Sequence, residues 1–91
     1  MAEARREVTI VNKRGLHARA SAKFVAAVAA MEGTRVTVHK DGHSAGGGSI
    51  LGLMMLGAAK GDTVELVTDG ENAQAHLDEL AYLVESGFGE D

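Results

Sequence analysis

Two periodicities divide this chain. At residues 7–12 the apolar Val8 and Ile10 alternate with polar neighbours, and the same period of two returns at residues 34–40 through Val36 and Val38 and at residues 63–68 through Val64 and Leu66. Alternation of this kind marks a strand with one buried face. Half of residues 18–31 are alanine, alongside Phe24, Val25, Val28 and Met31, and the spacing 18, 22, 25, 28/29 predicts one apolar face of a helix, with Gly33 as its stop. Residues 71–86 place Ala73, Leu77, Leu80, Ala81 and Val84 on one helical face, and Gly87 terminates it. Asp41-Gly42 is a tight-hairpin dipeptide, because both residues tolerate positive φ, so residues 43–45 are expected to return as a short strand. Gly46-Gly47-Gly48 then makes a flexible loop. Ser49 is a standard N-cap for a short helix in the apolar run at residues 50–58. The order β-α-β-β-α-β-α, with strands apolar on one face only, predicts a two-layer α+β fold with every helix on one side of an antiparallel sheet.

Size and composition narrow the functions open to such a fold. The 91 residues are expected to form a single domain, 1–91, with a modest core and no cleft between domains. There is no cysteine, which excludes disulfides, thiolate metal sites and cysteine nucleophiles. Residues 1–7 are charged and lack the apolar stretch of a signal peptide, and no segment approaches the ~20 apolar residues of a membrane span, so a soluble cytoplasmic protein is expected. A net charge of -4 and only three aromatics, Phe24, Tyr82 and Phe88, argue against nucleic acid as a partner. The charge is unevenly spread: residues 1–23 carry +4 and the rest -8. A basic segment on an otherwise acidic chain favours an anionic substrate or an acidic partner surface.

The basic segment contains the most informative residue. In Gly15-Leu16-His17-Ala18-Arg19 a histidine stands where strand gives way to helix. A helix N-terminus offers unpaired N–H groups and the positive end of a dipole, which suits an anion carried on a side chain. Ser, Thr, Asp and Asn are the usual caps, so an imidazole there calls for another reason, the alternative being a surface histidine capping by accident. Arg19 and Arg14 are either plain solvated charges or, in the sharper reading, Arg19 is the anion contact and Arg14 contributes only field. His39 and His43 flank the hairpin turn without a third ligand, which argues against a metal site. His76 is expected on the outer side of the last helix. Gly46-Gly47-Gly48-Ser49 lacks the lysine and spacing of a nucleotide-binding loop.

The segments G-L-H-A-R opening the first helix and G-S-I-L-G-L-M-M-L-G-A opening the second, in this order of elements, resemble the HPr family of histidine-containing phosphocarrier proteins. That family serves the bacterial phosphoenolpyruvate-dependent phosphotransferase system. The resemblance spans residues 7–84 and implies an open-faced β-sandwich, a four-stranded antiparallel sheet under three helices. It also implies that His17 accepts a phosphoryl group on Nδ1 from phosphorylated Enzyme I and passes it to Enzyme IIA-type proteins, without turnover of its own and without a cofactor. Arg19 would then screen the phosphoryl oxygens. The resemblance further implies a monomer in which Ser49 is the target of an HPr kinase/phosphorylase, phosphorylation there inhibiting that of the histidine. Ile50, Leu51 and Met54 match docking positions, and Leu53 and Leu56 match core positions. Ala20 stands where sugar-transport members have proline, and the surrounding pattern is similar to the nitrogen-related branch. Gly48 stands where many members have lysine, which leaves kinase recognition open. An alternative is a regulatory binding module acting through the second-helix surface, with Ser49 as its switch and no phosphoryl carriage.

Overall fold

The alternating segments form one four-stranded antiparallel sheet in a computed structural model that describes residues 3–90. In chain order the elements are β1 (Glu3–Thr9), α1 (Ala18–Ala29), β2 (Thr34–Lys40), β3 (His43–Gly46), α2 (Ile50–Met55), β4 (Thr63–Gly70) and α3 (Ala73–Glu85), followed by a 3-10 turn at Gly87–Gly89. The strands lie in the order β1-β4-β2-β3. The register pairs Val8 with Val64, Val38 with Leu66 and Val38 with Ala45, so one face is a continuous apolar row. Phe24, Leu53, Leu77, Leu80 and Val84 cover that row and complete the core. Alternation turns Arg5, Glu7, Thr37, His39 and Glu65 to the other face, which no helix covers among the described residues. The result is the two-layer α+β fold that the order of elements predicted, in the open-faced form that the resemblance implied.

Most of the boundaries agree, and the departures have physical reasons. The predicted first strand at residues 7–12 is displaced: β1 begins at Glu3 and ends at Thr9. Its charged opening is tolerated because β1 is an edge strand, from which long side chains reach solvent and pair across the surface. Arg5 Nη1 lies 3.2 Å from Glu65 Oε1, and Arg6 Nη2 lies 3.1 Å from Glu85 Oε1. The buried face of α1 is also rotated from the predicted one. Ala18 and Ala22 are exposed, whereas Ala20, Ser21 and Phe24 are buried. In an alanine-rich helix every face is nearly equivalent, so the largest apolar side chain, Phe24, fixes the rotation, with Val25 and Val28 half-buried beside it. His76 is half-buried rather than outward, and among the described residues its Nδ1 has no hydrogen-bond partner. It sits three residues after Ala73 and four before Leu80, on the flank of the buried stripe. Asp41 (φ 50°) and Gly42 (φ 82°) adopt the positive angles of a type I′ hairpin turn.

The largest departure follows α3. Gly87, at φ 73°, turns the chain back, and Phe88 is 1% exposed, buried in the core. The tail is therefore part of the packed structure, and it carries Glu90 toward the start of α1.

Candidate functional site

The connection from β1 to α1 is built to present His17. Asn12, 3% exposed, holds the loop from inside: its Nδ2 donates to the Gly15 carbonyl at 2.9 Å, and the Gly15 N–H donates to the Asn12 carbonyl at 3.2 Å. Gly15 has φ 61°, and a Cβ there would overlap the Ala58 carbonyl, which accepts from the Leu16 N–H at 3.0 Å. Only glycine meets both demands. Ser21 Oγ donates to the Leu16 carbonyl at 3.1 Å, tying the first turn of the helix to the loop.

His17 is the N-cap of α1. Its backbone is extended (φ -73°, ψ 179°), its carbonyl accepts from the Ser21 N–H at 2.9 Å, and its Nδ1 accepts from the Arg19 N–H at 3.3 Å. The imidazole thus takes the place of the usual cap oxygen, with Nδ1 directed at the first-turn amides. The other ring nitrogen, Nε2, lies 2.7 Å from Glu90 Oε2. Both side chains are 16% exposed.

A shallow concavity surrounds the ring, lined by Lys13, Arg14, Arg19, Lys23 and Glu90. Four cations thus converge on one imidazole, and among the described residues Lys13, Arg14 and Arg19 make no ion pair. Lys23 Nζ donates to the Phe88 carbonyl at 2.7 Å and anchors the tail. Burial opposes the charge on Glu90. Hydrogen bonds from His17 and Asn12, with the charges of His17 and Lys23, outweigh that penalty and hold its carboxyl below the ordinary value.

Ser49 is exposed, and its Oγ accepts from the Gly52 N–H at 2.9 Å as the cap of α2. Beyond it Ile50, Leu51 and Met54 are 40%, 67% and 41% exposed, whereas Leu53 is fully buried and Leu56 half-buried. Met55, 77% exposed, joins the same apolar surface without having been singled out in the sequence. His39 lies in β2 and His43 in β3, and among the described residues no three His, Asp or Glu side chains group in a way that could hold a metal ion.

The sequence marks His17 and Arg19 as candidates because they are neighbours in one motif. Glu90 and Asn12 carry no such mark and reach the ring's surroundings only through the fold. The one available signal was Phe88, an apolar residue beyond the predicted end of the last helix.

The family model described as "PTS HPr component phosphorylation site" matches residues 4–86. The chain belongs to the HPr family of phosphocarrier proteins. It is 45% identical over 85 residues to the phosphocarrier protein HPr of Cupriavidus necator, covering 93% of this chain and 94% of that one. It is also 40% identical over 90 residues to the phosphocarrier protein NPr of Shewanella violacea, covering 99% and 98%. Among solved structures, HPr-C-His from Thermoanaerobacter tengcongensis superposes with a TM-score of 0.88 at 36% identity, covering 100% of this chain and 99% of that one. Members of the HPr family are carriers of the phosphotransferase system rather than catalysts with turnover.

Proposed function

We propose that His17 accepts a phosphoryl group on Nδ1 from phosphorylated Enzyme I and hands it to Enzyme IIA-type proteins, in the cytoplasm. The observation that carries this is the direction of Nδ1, 3.3 Å from the Arg19 amide at the start of α1. Phosphoryl transfer needs positioning and charge stabilisation more than covalent assistance from the protein. A neutral imidazole supplies the nucleophile, and its attack splits one transfer into two reversible steps. The helix N-terminus, with its unpaired amides and the positive end of its dipole, favours the phosphorylated product. The Arg19 side chain lines the same concavity and supplies charge to the phosphoryl oxygens.

Ile50, Leu51 and Met54 form the docking surface for these partners, supported by their exposure beside a buried Leu53. Methionine suits a face that meets several proteins. Ser49 is a second phosphorylation site, supported by its exposed hydroxyl at the edge of that surface. A dianion there leaves the helix cap intact and acts by repulsion and desolvation at the docking face. Ala20 in place of proline and the likeness to an NPr favour the nitrogen-related branch.

The test is mass spectrometry after incubation with phosphoenolpyruvate and Enzyme I, and separately with ATP and an HPr kinase. The first is expected to give an acid-labile adduct on His17 that is absent from His17→Ala, and the second an acid-stable adduct on Ser49. Label retained at another residue of His17→Ala would contradict the carrier role. Arg19→Ala is expected to slow labelling about tenfold, the loss of one charge-assisted contact.

A further inference from the structure

We propose that Glu90 is a positioning residue for His17: its carboxylate holds the ring proton on Nε2 and leaves Nδ1 as the lone pair that meets phosphorus. This deepens the carrier function and rests on His17 being the acceptor.

Two contacts on opposite edges of the ring select one tautomer. A carboxylate only accepts, so Glu90 Oε2 at 2.7 Å requires a proton on Nε2. A backbone N–H only donates, so Arg19 N at 3.3 Å favours a bare Nδ1. The two contacts agree, and the shorter, charge-assisted one to Glu90 dominates. Neutral imidazole has two tautomers, and the hydrogen bond made by one nitrogen sets the state of the other.

The carboxylate is itself held. Its second oxygen, Oε1, accepts from Asn12 Nδ2 at 3.1 Å, the same amide that donates to Gly15. Behind it, the Glu90 N–H donates to the Gly87 carbonyl at 2.9 Å, Phe88 is buried, and Lys23 Nζ grips the Phe88 carbonyl. Loop and tail therefore converge on one carboxylate, and that carboxylate on one ring nitrogen. Glu90 lies at the Nε2 edge, so its charge does not occupy the place of the incoming group at Nδ1.

The transfer step balances around this arrangement. The Nδ1 lone pair forms the bond to phosphorus as the donor's bond to phosphorus breaks, and the electron pair of the broken bond returns to the donor. Nε2 keeps its proton, so the phosphorylated ring carries a positive charge that lies against Glu90. On onward transfer the Nδ1–P bond electrons stay on Nδ1, and the neutral ring is regenerated with its Nε2 proton in place.

The experiment compares wild type, Glu90→Gln and Glu90→Ala by nitrogen-15 spectra of the His17 ring near pH ~8, above the ordinary imidazole value. Phosphoryl transfer from phosphorylated Enzyme I is timed in parallel. Wild type is expected to hold a single Nε2–H tautomer. Glu90→Gln keeps that tautomer, since an amide oxygen also accepts, but transfers more slowly for want of the charge. Glu90→Ala mixes the tautomers and loses at least about fivefold in rate. A wild-type ring of mixed tautomers, a Glu90→Ala ring unchanged from wild type, an Ala-like spectrum from Glu90→Gln, or faster transfer by Glu90→Ala would each overturn the proposal. Absence of label on wild-type His17 would instead sink the carrier function, and the spectra of the free protein still report on Glu90.

Discussion

Gly15 sets the path that brings His17 to the end of α1, and its requirement is steric. At φ 61° a side chain is already strained, and a Cβ would overlap the Ala58 carbonyl that anchors Leu16. Gly15→Ala is therefore expected to destabilise the fold by at least ~2 kcal/mol, read as a lower urea midpoint at unchanged slope. Labelling of His17 is expected to fall further than stability alone accounts for, because the displaced loop carries the proposed acceptor. Glu90 makes the opposite kind of prediction, one of pH. Its folded value is depressed, so the unfolded chain binds more protons through the acid range and stability rises with pH there. The stabilisation by the docked tail is complete above the ordinary glutamate value and disappears as pH falls through the lower folded one. Amide exchange at Glu90, whose N–H is bonded to Gly87, is expected to lose protection across that window. Protection that persists at lower pH would show that Phe88 alone holds the tail.

At the scale of elements, α2 is the most exposed to test. Six residues cannot sustain a helix by propensity, so its cap and its one buried leucine hold it. Ser49→Ala is expected to cost about 1 kcal/mol, the usual loss of an N-cap oxygen. Met54→Asp is expected to leave the melting temperature nearly unchanged while weakening Enzyme I binding, whereas Leu53→Asp, at a fully buried position, unfolds the protein. An equal loss of stability in both variants would remove the docking role. The same contrast explains what the sequence discloses. β2, β4 and α3 are legible because each has a clean period and large apolar residues at fixed spacing. The rotation of α1 is not, since alanines give almost no signal and Phe24 dominates. Residues 3–6 read as a solvated charge run, and only pairing with β4 makes them strand. At the site, His17 and Arg19 announce themselves by adjacency. Glu90 and Asn12 are separated by 78 positions and meet only because Phe88 docks in the core.

Over the whole molecule the decisive quantity is the polarity of charge. Residues 1–23 hold +4 while the chain totals -4, and the fold gathers Lys13, Arg14, Arg19 and Lys23 around His17. Such an arrangement steers an acidic partner surface toward His17 before any contact forms. Steering is screened by salt, since the Debye length shrinks from ~30 Å at 0.01 M to ~8 Å at 0.15 M. The association rate with Enzyme I is thus expected to fall steeply over that range, with a shallower fall in a Lys13→Gln, Arg14→Gln double variant. Those two side chains act through field, so transfer within the formed complex is expected to stay at the wild-type rate. Arg19→Gln is expected to differ in kind: it lowers the rate inside the complex even at high salt, because the proposed contact to the phosphoryl oxygens is short-ranged and poorly screened. Single-turnover transfer under saturating Enzyme I separates the two. If the double variant slows transfer inside the complex as much as Arg19→Gln does, the four cations form one undivided phosphate-binding cluster, and the division between steering and contact fails.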